Sequence, residues 1–208
     1  MDNKNLDIST EKRILDAARS VFTQKGFAAT RMDDIAKEAG INRALLNYYY
    51  RSKDRIFEII FKERLKEFFS GIAIIIQSEQ PVEEKIRALV IHDISTIQQH
   101  PDMPLFVIGE INRNPERFVE FVTQTAGIEK EKLIQGFQKQ IDREVKEGKL
   151  KPINARQLMM NTMSLAIYPS MAKPIIKTMF SLSDAEFDKL MEGRKKEVTD
   201  FILNSIKA

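Results

Sequence analysis

Apolar residues along this chain recur at spacings of three and four, the period of a helix with one covered face. The first stripe is Ile14, Leu15, Ala18, Val21 and Phe22; it predicts a helix over residues 10–25 that Gly26 ends. The polar residues 1–9 ahead of it predict an unstructured arm. Two short helices follow, over 31–38 with Ile35, Ala36 and Ala39 inward, and over 43–50 with Leu45, Leu46 and Tyr49 inward. A longer stripe, Ile56, Ile60, Phe61, Leu65, Phe68 and Ile72, predicts a helix over 53–78. Further helices are predicted over 81–99, 105–112, 115–147 (with an irregularity near Gly127), 155–172 and 184–207. No segment holds the alternating period of a strand, so the expected fold is all-α.

The punctuation between these stripes is informative. Thr30 followed by Asp33 reads as a capping box opening the second helix, and Gly40 as its stop. Asn42 is a good N-cap for the third. Ser52 caps the fourth, and Ser183 with Glu186 is a second capping box. Two short helices around a three- to four-residue turn with glycine make a helix-turn-helix. The pair also fits an ordinary corner between helices, so the exposed face decides. With the apolar side turned in, Arg43, Ala44, Asn47 and Tyr48 face out. Arginine pairs with guanine, asparagine with adenine, a small methyl meets thymine, and tyrosine reaches phosphate. Arg51, Lys53 and Arg55 follow, against Asp54 alone. A helix that only closed a core has little use for such a face.

The segment GINRALLNYYYRSKDRIF, with DDIAKEAG upstream, resembles the recognition helix of the tetracycline-repressor (TetR) family. That family's pattern is roughly A-G-V-S-x-G-x-L-Y-x-Y-F-x-S-K-E-x-L. Ala39, Gly40, Leu46, Tyr49, Ser52 and Lys53 match it; Ile41, Asn42, Ala44, Tyr50 and Asp54 are close substitutes. Asn47 departs, standing where the family most often has Tyr, which bears on the operator sequence. The likeness covers about residues 14–57. It implies that Arg43, Ala44 and Asn47 read bases in the major groove of double-stranded DNA, while Arg31, Asn42, Tyr48, Tyr49 and Lys53 hold phosphate. It also implies two domains: a three-helix helix-turn-helix unit over 1–52, joined stiffly to a larger helical ligand-binding and dimerisation domain over 53–208.

Charge placement agrees. The chain carries a formal +3 over 208 residues; residues 1–55 hold 11 Lys and Arg against 8 Asp and Glu, and the rest balances at 22 each. All the excess therefore lies where phosphate is expected. The chain has no cysteine, which excludes disulfides, thiol catalysis and cysteine zinc sites and suits a reducing cytoplasm. The start MDNKNLDIST is too polar and acidic for a signal peptide. The apolar run at 72–76 is too short to cross a membrane.

No phosphate-binding glycine loop, nucleophile elbow or HExxH motif is present. His92 and His100 with Asp93 and Asp102 suggest a metal site only if the chain bends, since two helical turns separate the histidines. No enzyme activity, cofactor or metal is expected. A helical adaptor is the competing reading, and it leaves the face around Arg43 unexplained.

The helix over 155–172 is apolar on more than one side, so it needs cover on more than one side. Its Leu158, Met159 and Ile167, with Phe187, Met191, Val198, Phe201 and Ile202 of the last helix, form the expected homodimer interface, as the TetR resemblance also implies. Between link and interface the chain carries Phe106, Phe121, Phe137, Met163 and Tyr168 with sparse polar groups, among them Glu110. That mixture suits a small-molecule site and equally a plain core. The resemblance implies the former: a small hydrophobic effector that releases a repressor from DNA.

Overall fold

The computed structural model describes residues 2–101, 103–113, 115, 116, 119, 120 and 130–208. Ten helices are named: α1 Asp2–Ala29, α2 Met32–Glu38, α3 Arg43–Tyr49, α4 Lys53–Gln77, α5 Val82–Gln99, α6 Met103–Arg113, α7 Lys130–Lys146, α8 Ala155–Met171, α9 Lys173–Phe180 and α10 Asp184–Ile206. Among the described residues the only β pairing is a single bridge, Leu150 to Lys207. The fold is all-α. No helix is long and apolar enough to cross a membrane, again among the described residues.

Two compact units divide the chain, residues 1–65 and 66–208. The division falls inside α4, beyond the expected domain end at 52, and Ile56 and Ile60 pack into the first unit's core. There they join Ile14, Ala18, Val21 and Phe22 of α1, Met32, Ile35 and Ala36 of α2, and Leu46 of α3. Phe22, Phe27 and Phe57 add an aromatic cluster, with ring centroids 4.5–5.7 Å apart. Two expectations need correction here. The expected arm over 1–9 is instead the opening of α1, which starts at Asp2. The helix also resumes after a non-helical Gly26 and runs to Ala29.

In the second unit α5 lies against α7, α8 and α10, and α8 also touches α6, α7, α9 and α10. The buried side of α5 is Val82, Ile86, Leu89, Val90, Ile94 and Ile97. Asn154 caps α8, accepting from Arg156 and Gln157 N–H, and the predicted capping box opens α10, with Ser183 N–H donating to Glu186 Oε2 at 2.8 Å. Of the predicted helix over 115–147, α7 is the second half; the irregularity expected near Gly127 lies outside the described residues, as does Asp102.

The expected dimer residues divide. Leu158, Phe187, Met191, Val198 and Ile202 are buried in the chain's own core, and Met159 and Ile167 are half-buried. Only Phe201 is exposed, at 66%. α8 packs against five helices of its own chain. On these helices the exposed apolar side chains are Met160 and Tyr168 on α8, Ile175, Met179 and Phe180 on α9, and Leu190 and Phe201 on α10; Ile74, Ile91, Ile108 and Val119 are exposed elsewhere in the same unit.

Asp93 is the unusual polar group of this core. Its side chain is 1% exposed; Oδ1 meets His92 Nδ1 at 3.3 Å, and Oδ2 has no partner among the described residues. Burial pushes its carboxyl above the usual carboxylate range, opposed less strongly by the His92 contact. The folded state thus holds a proton that the unfolded chain releases first. The cost of a buried carboxylate is absent below the unfolded pKa of about 4 and complete above the raised folded value, so stability falls as pH rises across that window. Asp93→Asn is expected to raise stability at neutral pH by about 1–3 kcal/mol. Each kcal/mol corresponds to roughly 2–4 °C in a chain of this length. The gain shrinks toward pH 4. Thermal melts at both pH values check this, and a lower midpoint for the variant at neutral pH refutes it.

Candidate nucleic-acid interface

The helix-turn-helix is built locally. Gly40 adopts φ +64° after α2, a left-handed conformation that costs glycine little. Ile41 N–H then donates to Ala36 O at 3.0 Å, closing the turn, and Asn42 Oδ1 accepts from Leu45 N–H at 2.8 Å. The cap of α2 sits one residue later than predicted. Arg31 N–H donates to Asp34 Oδ2 at 2.9 Å, while the Thr30 hydroxyl donates to Gly26 O at 2.7 Å. The extra turn after Gly26 brings that carbonyl within the threonine's reach. Asp34 also accepts from Lys25 Nζ at 2.8 Å. The lysine bond, then the Arg31 N–H, holds its carboxyl below the usual range.

Leu46 is the one buried residue of α3. Tyr49 is half-buried, and Leu45, expected inward, is 38% exposed. A helix of seven residues turns only one narrow side to its neighbours, and Leu46 with the following Tyr50 occupies it. The rest of the helix is outward: Arg43, Ala44, Leu45, Asn47 and Tyr48. Tyr48 is 80% exposed and meets Tyr49 edge-on at 5.4 Å. Arg43 donates from Nη1 to Asp33 Oδ1 at 3.0 Å and from Nε to Asn47 Oδ1 at 3.1 Å. The Asn47 oxygen is thereby engaged, and the residue is exposed. Leu45, which the inward assignment passed over, belongs to this outer face and offers an apolar contact beside Ala44.

The residues expected at phosphate have differing surroundings. Arg31 and Asn42 are exposed at the starts of α2 and α3, with Asn42 Oδ1 committed to its cap. Lys53 is occupied. Its ammonium donates to the carbonyls of Phe27, Ala28 and Thr30 at 2.9, 3.2 and 3.0 Å and sits 4.5 Å from the Phe27 ring centroid. A lysine has three N–H donors, and all three are used. In this structure Lys53 therefore clamps the last turn of α1 and Thr30 after it, and the expected phosphate contact would require it to let go.

A family profile described as bacterial regulatory proteins, tetR family, matches residues 14–60, the span from α1 through α3 into α4. Residues 14–60 thus match the TetR family. It is 30% identical over 112 residues to the probable HTH-type transcriptional regulator YttP of Bacillus subtilis, a match covering 51% of this chain and 52% of that one. The chain thus spans about half the length of that relative. A TetR/AcrR-family regulator from Thermobifida fusca shares the fold, with a TM-score of 0.65 over 93% of this chain and 96% of that one at 23% identity. A regulator from Saccharomonospora viridis solved with choline has the same TM-score at 19% identity, covering 96% of this chain and 98% of that one. The profile ends at 60, so the exposed face of α3 lies wholly within the matched residues.

The effector residues are less gathered. Phe121 lies outside the described residues, and Phe106 and Glu110 are described in α6 only as backbone. Phe137 is buried on α7, Met163 half-buried on α8, and Tyr168 is 61% exposed. Tyr168 stands among the exposed apolar side chains rather than in an interior. Among the described residues no group of three His, Cys, Asp or Glu is placed to hold a metal.

Proposed function

We propose that this protein is a cytoplasmic one-component transcriptional regulator: a repressor that binds a pseudo-palindromic operator as a homodimer and is released by a small hydrophobic effector. One observation carries the DNA-binding reading. A seven-residue helix buries a single side chain and presents Arg43, Ala44, Asn47 and Tyr48 outward, a set suited to base edges and phosphate. Arg43, Ala44 and Asn47 take the base edges; Arg31, Asn42 and Tyr48 take phosphate, with Tyr49 as a partly buried support.

The exposed apolar side chains of α8, α9 and α10 support the dimer. Scattered apolar residues are ordinary on a surface, but these seven fall on three helices that contact one another. A two-fold axis through such a face pairs each residue with the same patch on a second copy. The effector is assigned to Phe106, Glu110, Phe121, Phe137 and Met163, and it acts only if it prefers one of two arrangements of the protein.

Selection of bound sites from random DNA tests the reading. The expected result is an enriched inverted repeat, its half-sites separated by about one helical turn, roughly 34–36 Å. Recovery of no enriched sequence sinks the regulator and leaves the helical adaptor.

A further inference from the structure

A groove of about 640 Å³ opens in the second unit between the end of α4, the start of α5 and α7. Its size lies within the range of small-molecule sites, roughly 300–1,000 Å³. Its charge is one-sided. Lys85, Lys132, Lys139 and Arg143 line it, against Glu79 as the one acid among the lining residues. Three of these cations share a helix face: Lys132, Lys139 and Arg143 lie at i, i+7 and i+11 of α7, with Gly136 and Gln140 between them. Ile76, Leu133 and Phe137 supply apolar lining.

The base of the groove is held in place. Lys85 is 3% exposed and donates to Ile76 O at 2.6 Å and to Gln140 Oε1 at 2.5 Å. Its ammonium also lies 5.8 Å from the Phe137 ring centroid. Gln140 is fixed in turn, donating to Gln80 O at 2.8 Å and to Glu144 Oε1 at 2.9 Å, and Glu144 also accepts from Val82 N–H at 3.1 Å. Burial pushes the Lys85 ammonium below its ordinary value, so an anion alongside relieves part of that cost. Gly136 interrupts α7 where alanine favours a helix more, and a Cβ built there meets nothing within 4 Å. Packing against the protein does not require the glycine, and its missing side chain widens the groove.

We propose that this groove binds a small organic anion, a phosphorylated or carboxylated compound with a short apolar tail. The headgroup lies between Lys139 and Arg143, above the buried Lys85, and the tail lies against Leu133, above the buried Phe137. The site differs from the proposed effector set, sharing only Phe137, and it does not depend on DNA binding.

Isothermal titration of the full chain without DNA tests it, using octyl phosphate, octanoate, inorganic phosphate and octyltrimethylammonium. The expected result is binding of one or both amphipathic anions, weaker binding of inorganic phosphate, and none of the cation; the stronger of the first two identifies the headgroup. Lys139→Glu and Arg143→Glu each raise Kd about tenfold or more. Gly136→Leu blocks binding while keeping or raising the thermal midpoint, because its side chain enters open space. Failure of both amphipathic anions to bind overturns the proposal, as does equal binding of the cation or indifference to all three substitutions. Operator affinity measured with and without the bound anion is a separate readout, so failure of the regulator reading leaves the titration result standing.

Discussion

Arg43→Ala weakens binding to the selected operator by about 1–3 kcal/mol and flattens preference at one base pair in each half-site. The guanidinium is well placed for that role. It projects from the first residue of α3, with Nη1 on Asp33 and Nε on Asn47. Both partners are exposed, so the ion pair holds it only loosely and yields readily to a guanine edge. Lys53→Ala has a different expected result. With its three donors on the carbonyls of Phe27, Ala28 and Thr30, its loss frees the end of α1 and Thr30 and lowers stability by about 1–3 kcal/mol. Fluorescence anisotropy across a salt series, with thermal melts of both variants, separates the two roles. An unchanged midpoint for Lys53→Ala, together with a salt slope reduced by about one, returns Lys53 to the phosphate.

Phe201→Asp converts the proposed dimer into monomers. A central aromatic contact contributes about 2 kcal/mol or more, and a two-fold axis counts it twice. The dimer constant therefore weakens roughly a thousandfold. Binding to the full inverted repeat falls with it, and binding to an isolated half-site does not. Phe187→Ala is the contrast. Phe187 is on the same helix but 3% exposed, so truncation should cost about 3–5 kcal/mol of folding stability through the cavity it leaves. Sedimentation of both variants decides between interface and core. A Phe201→Asp protein that stays dimeric moves the interface away from this face.

The local chemistry of the DNA-binding unit was legible along the chain. Gly40, the Asn42 cap and the Leu46 anchor are each decided within four residues, so spacing alone locates the turn and the outward side of α3 except at Leu45, which it turned inward. The Ser183–Glu186 box was readable for the same reason. Capping at α2 slipped by one residue because Thr30 had a second acceptor, the Gly26 carbonyl, that exists only once the chain resumes its helix to Ala29.

The sequence by itself determined the all-α class, the helix-turn-helix and its polar outer face, because helix period and capping are properties of neighbours three and four apart. Only the tertiary structure decided the rest. Lys53 became a clamp through carbonyls 23 to 26 residues earlier in the chain. Leu158, Met191 and Ile202 went to the core while Tyr168 and Phe201 stayed outside, and a helix apolar on several sides carries the same pattern whichever neighbour covers it. The basic groove joins residues from Ile76 to Arg143, and no periodicity spans that distance. Packing among distant segments selects which apolar side is covered and which cations converge, since each helix can satisfy its own period in more than one arrangement.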